Sequence, residues 1–268
     1  MTDSYETEPS RPADSARAEE GVGEKIRPYS RLALVVAGLA AVVALLSVLS
    51  GFGSRWGLWH FRTGFTLLEW AAYGAVAVMV LALPALWFAR PGGSRRGFPL
   101  ALLALLVSLP VFLVPWTWQN RVAEVPPIHD ISTDLENPPE FQAVAPLRED
   151  APNPVEHPGE EVAQLQREAY PDIQPLILDE PLEASSHRAL DVAAELGWQV
   201  VAFDPPGGRL EATDRTFWFG FRDDVVVRMT ETEEGTRVDI RSKSRVGRSD
   251  VGTNARRIRS FLDRLARL

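Results

Sequence analysis

The chain has 268 residues, a net charge of −8 and no cysteine, so neither a disulfide framework nor a thiolate metal site is possible. Its 46% hydrophobic and 24% charged content would suit one or two ordinary globular domains, but the averages hide a segregation. Apolar residues concentrate between positions 32 and 118, whereas 28 of the 36 acidic residues follow position 120, so two physically different materials are joined end to end.

Residues 1–31 are polar and rich in acids, and they read as a disordered cytoplasmic tail. A cleavable signal peptide is not expected, because such a leader has a short basic start. Three apolar runs follow, over residues 32–49, 67–88 and 98–118, with Glu69 their one charged residue. Each is close to the ~20 helical residues that cross ~30 Å of hydrocarbon, so three transmembrane helices are expected. Glu69 lies near the end of its run and close to Arg62, where it can reach water. Pro84, Pro110 and Pro115 are tolerated in membrane helices and predict kinks rather than a transport path.

Flanking charge sets the expected orientation, because Lys and Arg near span ends stay in the cytoplasm. Lys25, Arg27 and Arg31 precede the first span, and Arg90, Arg95 and Arg96 fill the loop between the second and third. The alternate side carries Arg55, Arg62 and Arg121. The expected protein is therefore a multi-pass component of a bacterial inner (cytoplasmic) membrane, amino terminus inside and carboxy-terminal domain periplasmic. Trp56, Trp59, Trp70, Trp116 and Trp118 fall at the outer interface, and Tyr29 and Trp87 at the inner one.

Residues 119–170 hold the proline pairs 126/127 and 138/139 and many acids, which predicts an extended tether wrapping the folded part. Asp130, Thr133 and Asp134 within it suit turn caps better than a metal or His/Asp site with His129, since ligand spacing on an irregular segment means little. Residues 171–268 predict an α+β domain. A short strand at "IQPLIL" precedes a helix from about Leu182 to Leu196, closed by Gly197. Extended runs "WQVVAF", "RLEATD", "FWFGF", "DVVVRM" and "TRVDIRSKS" come next, and a helix over 251–265 closes the chain. The economical architecture is a two-layer sandwich, an antiparallel sheet with both helices on one face. "FWFGF" is expected in its core rather than as a base-stacking platform.

The strings "IHDISTD", "YPDIQPL", "LEATDRTFWFGFRDDVVVRM" and "VDIRSKSRVGRSDVGTNARRI" resemble the bacterial and plastid domain-of-unknown-function family 1499, over roughly residues 127–265. The resemblance implies a domain boundary but no catalytic residue.

The functional question centres on the basic run from residue 241. In the strand 236–244, Val238 and Ile240 face one way, and Arg237, Asp239, Arg241 and Lys243 face the other, expected to be open. Arg241 and Lys243 on that face, with Arg245, Arg248, Ser249 and Asn254 gathered at the start of the last helix, where free N–H groups point outward, are the candidate site for an anion such as a phospholipid headgroup. Internal pairing is the competing use: residues 121–240 carry 26 acids and 9 bases, residues 241–268 carry 9 bases and 2 acids. Asp130, Asp134, Asp214 and Asp223 are candidate polar partners. No phosphate-binding glycine loop, nucleophile elbow or paired metal motif occurs in the sequence, so no cofactor or metal is expected. The acidic domain argues against nucleic acid. The expected role is a binding or scaffold domain whose partners are the lipid bilayer, an anionic headgroup or another envelope protein. The alternatives are an envelope hydrolase using Asp214, Asp223, Arg215, Arg241 or Ser242, and an accessory subunit of a membrane complex.

Overall fold

The structure, a computed structural model, describes residues 27–267, and most of the expected amino-terminal tail lies outside them. Three helices open it: α1 (Arg31–Arg55), α2 (Phe61–Phe88) and α3 (Phe98–Glu124). All are long and apolar enough to cross a membrane. They face one another through small residues, including Ala33, Ala40 and Ser47 on α1, Gly64, Ala71 and Ala75 on α2, and Ala101, Ala104 and Ser108 on α3. Such residues let backbones approach closely where lipid offers no hydrophobic drive for association. At Gly64 the approach is limiting, since a Cβ there would lie 2.4 Å from the Ser50 carbonyl oxygen. Glu69 accepts a hydrogen bond from Tyr73 on its own helix at 2.9 Å and stays on the bundle's exposed surface.

Each helix runs six residues past the expected span at the same end, to Arg55, from Phe61 and to Glu124. That adds about 9 Å of mixed polar and aromatic helix. The opposite end is closed by a bridge between Tyr29 and Arg96, with the Ser30 N–H donating to the Arg96 carbonyl at 2.8 Å.

The remainder is the expected α+β sandwich. Its sheet contains β1 (Asp130–Ser132), β2 (Leu176–Leu178), β3 (Gln199–Asp204), β4 (Arg209–Arg215), β5 (Arg222–Thr232) and β6 (Gly235–Ser244). The order is β1-β6-β5-β4-β3, with β2 also on β6, and every pairing is antiparallel. Helices α5 (Leu182–Glu195) and α6 (Thr253–Leu265) cover one face. Val225 and Val227 of β5 and Val238 and Ile240 of β6 meet Ala189 and Ala193 of α5 and Ile258 and Phe261 of α6 in the core. Period-two strands and a 3.6-period helical stripe thus close on one another as their patterns require.

Two expectations are corrected. Residues 119–170 do more than wrap the domain: they supply β1 at a sheet edge, a 3₁₀ turn (Ala145–Arg148) and α4 (Glu160–Ala169). Gln166 of α4 accepts from the Ser132 N–H at 3.0 Å and donates to the Ser132 carbonyl at 2.6 Å, so its amide closes the exposed edge of β1. The second sheet face is not open either. The proline-rich chain crosses it, with Phe141, Val144 and Val155 packed around Val226. An irregular segment tolerates this burial only where its backbone polar groups find partners. Here they find charged side chains of the sheet.

Candidate functional site

Alternation along β6 sends Arg241 and Lys243 to the covered face, as their spacing predicts, but into burial. Arg241 is 2% exposed and Asp130 and Lys243 are fully enclosed. The Arg241 guanidinium donates twice to Asp130, at 2.9 and 2.8 Å, and also to the carbonyls of Pro139 and Val155. Lys243 Nζ sits 2.9 Å from the same carboxylate and donates to the Glu156 carbonyl at 2.5 Å. Burial alone would raise the Asp130 pKa, but Arg241 and Lys243 outweigh it and hold the group below its ordinary 3.8. Next along, Asp224 is held by Arg245 at 2.8 and 2.9 Å. Glu211 accepts from the Gln142 and Val144 N–H groups of the covering segment and pairs with Arg209. Asp134 meets Arg228 and Arg237, which also hold Asp239. Internal pairing therefore accounts for Arg241, Lys243, Asp130 and Asp134.

The start of α6 is filled from within. Asp250 accepts from the Gly252 N–H at 2.8 Å and the Asn254 N–H at 2.6 Å, taking the place an external anion would need. Asn254 is enclosed and ties three elements, donating to the His129 carbonyl and Ser244 and accepting from Ser242 and Arg257. Ser249 accepts from the Val251 N–H, and the Arg248 carbonyl faces His129, while the Arg248 side chain is exposed. These residues therefore do not form the anion pocket that their spacing suggested. Asp214 and Asp223, opposite one another on β4 and β5, both meet Arg257, at 2.6 and 2.7 Å. Ser242 joins them, accepting from Arg257 at 3.1 Å, but Arg241 is turned to Asp130 and Arg215 to the Arg55 carbonyl, so of the residues named for a catalytic constellation only Asp214, Asp223 and Ser242 meet, around a cation that already pairs both carboxylates.

A different place gathers unpaired cations. "FWFGF" is neither strand nor domain core: residues 216–221 form the loop between β4 and β5 and leave the domain to dock on the helical bundle. Trp218 Nε1 donates to the Val48 carbonyl of α1 at 3.1 Å, and its ring lies 6.3 Å from that of Trp118 on α3. Phe219 packs on Phe65 at 4.8 Å, and Phe221 on Phe61 at 5.5 Å. Arg55, at the end of α1, donates to the Thr216 and Phe217 carbonyls at 2.7 and 3.1 Å. Arg215 donates back to the Arg55 carbonyl at 2.5 Å. Val48 is seven residues inside the end of α1, so the loop descends about 10 Å along the bundle.

Between this loop, the turn after α1 and the 3₁₀ segment lies a cavity of about 630 Å³. Its walls carry Arg55, Arg148, Arg215, Arg222 and Arg245 together with Asp150, and its apolar side is largely aromatic; Arg148 and Arg245 are paired with Asp224 behind the wall. Among the described residues, Arg55, Arg215 and Arg222 form no ion pair. Burial, and then the neighbouring charges of Arg55 and Arg222, lower the proton affinity of Arg215. Arg148 is enclosed with Nε and Nη1 lacking hydrogen-bond partners, although Nη1 is 3.2 Å from Asp224. Sequence reasoning missed this site. The signal present was an aromatic run bracketed by Arg215 and Arg222, the composition of a membrane-interface element.

Fold and site together define an α+β domain seated on three apolar helices of membrane-spanning length. Residues 130–265 match the family described as a protein of unknown function, DUF1499, and the chain belongs to that family. No curated protein matches the chain.

Proposed function

We propose that this is a multi-pass protein of a bacterial inner membrane, amino terminus cytoplasmic, which presents its carboxy-terminal domain in the periplasm as a binding or scaffold module. The arginine bias of residues 27–31 and 90–96 over the alternate side supports that orientation. The docked loop 216–221 carries the functional reading. It fixes the domain at one height against the membrane surface, where a freely tethered domain would not need an aromatic wedge among the helices. The partner that suits this position is an anionic group at the headgroup level, borne by a lipid or by another envelope protein. A binding role is favoured over hydrolysis because Asp214 and Asp223 are held by Arg257, apart from Arg241.

A reporter enzyme active only in the periplasm, fused behind Leu268, should be active, and the same reporter inserted after Gly93 should be silent. The reverse pattern would overturn the orientation and the periplasmic role with it.

A further inference from the structure

We infer that the arginine-walled cavity at the junction of domain and bundle binds the phosphate of an anionic phospholipid from the facing leaflet. This rests on the reading above insofar as α1–α3 must cross a bilayer.

Charge distinguishes the cavity from the rest of the domain. Elsewhere in the domain the buried guanidiniums are matched to carboxylates, Arg241 to Asp130 and Arg257 to Asp214 and Asp223, and Arg248 and Arg256, which form no ion pair among the described residues, stand singly on the surface. Residues 121–240 carry 26 acids, yet Arg222 finds none of them, and Arg55 and Arg215 spend their donors on carbonyl groups. Like charges held together without an anion cost stability, and an anion entering between them removes that cost. The Nε of enclosed Arg148, which bonds to nothing among the described residues while its Nη1 pairs with Asp224, is a second, independent sign of a missing acceptor. Guanidiniums match phosphate oxygens in a planar, two-donor geometry that ammonium groups do not offer.

Location selects a lipid over a soluble anion. The cavity opens at the helix ends, where headgroups lie, and Trp56, Trp59, Phe61, Phe219 and Phe221 line it. Trp56 is mostly exposed and extends this aromatic surface to the bundle's outer side. A free phosphate would gain nothing from those rings, whereas the glycerol and upper acyl carbons beside a lipid phosphate would pack on them. The volume falls within the ~300–1,000 Å³ usual for ligand sites.

The test uses the full-length protein in nanodiscs of mixed phosphatidylglycerol and phosphatidylcholine, released for native mass spectrometry. Wild type should retain phosphatidylglycerol in preference to phosphatidylcholine. Arg222→Gln removes a cation whose side chain bonds to nothing among the described residues, so the fold stays intact. It should weaken retention about ten-fold, the usual effect of losing one charge-assisted contact, and Arg222→Glu should abolish it. Arg256→Gln, on the exposed side of α6, should retain lipid as wild type does. Equal retention of the two lipids, or unchanged retention in Arg222→Glu, would overturn the inference. So would release of the bound lipid by inorganic phosphate at matched ionic strength, which would assign the cavity to a soluble anion. Retention is read without regard to orientation, so it fails or succeeds independently of the reporter fusions.

Discussion

The indole of Trp218 occupies the space that a side chain at position 51 would need: a Cβ on Gly51 would fall 2.3 Å from Trp218 Cδ1. A glycine inside a helix costs about 1 kcal/mol relative to alanine, so its presence on α1 has a packing reason. It is the seat of the domain's docking loop. Gly51→Ala should therefore strengthen the isolated helix yet evict the ring, and proteolysis of the loop 216–221 in the detergent-solubilised protein should accelerate. Trp218→Ala should do the same and lower stability by about 2 kcal/mol, below the ~3–5 kcal/mol for truncating a fully buried Trp because this ring is only half-buried. Gly38→Ala, whose Cβ would meet nothing within 4 Å, should leave the loop protected.

Asp130 is the shared counter-ion of Arg241 and Lys243, with all three enclosed. Its removal leaves two buried cations facing each other, so Asp130→Ala should destabilise the domain by about 3–5 kcal/mol in denaturant titrations. Adding Lys243→Met to Asp130→Ala should recover part of that loss, because one of the orphaned charges is gone. A loss for the double variant equal to or greater than that for Asp130→Ala would mean that the pairing contributes little.

The two-layer order of strands and helices was legible because β5 and β6 alternate and α6 carries a stripe, and both patterns follow directly from backbone geometry. The destination of the outward-facing charges was not legible. Asp130 lies 111 residues from Arg241, and no local periodicity reports that a proline-rich segment returns to cover a charged face. The aromatic loop misled for a related reason: in composition, a run of Phe and Trp looks the same whether it enters a protein core or a membrane-facing bundle. Its flanking Arg215 and Arg222 were the distinguishing feature, since arginines bracket interfacial segments far more readily than core strands.

Arg257 neutralises Asp214 and Asp223, which face each other across β4 and β5 and would otherwise repel. Arg257→Met keeps much of the apolar stem and removes only the charge. It should lower stability by about 3 kcal/mol, and Asp223→Asn in the same chain should restore part of it. If the two carboxylates served catalysis instead, the fold would tolerate Arg257→Met with little change in the denaturation midpoint.

Asp130 and Asp250 should pull the pH dependence of stability in opposite directions. Arg241 and Lys243, outweighing burial, depress the pKa of Asp130 below 3.8, so its contribution is present above that value and is lost as pH falls through the folded pKa. Burial raises the pKa of Asp250 above 3.8 despite its bonds from the Asn254 and Gly252 N–H groups. Its contribution is fully present below 3.8 and is lost as pH rises through the raised value. Measured as differences from wild type, Asp130→Asn should flatten the acid loss below 3.8, and Asp250→Asn should remove a gain on acidification that lies above it. A difference curve for Asp250→Asn that is level from neutral pH down through that window would show that the helix-capping carboxylate keeps its charge at no cost. Burial at the start of α6 would then not be what governs its proton.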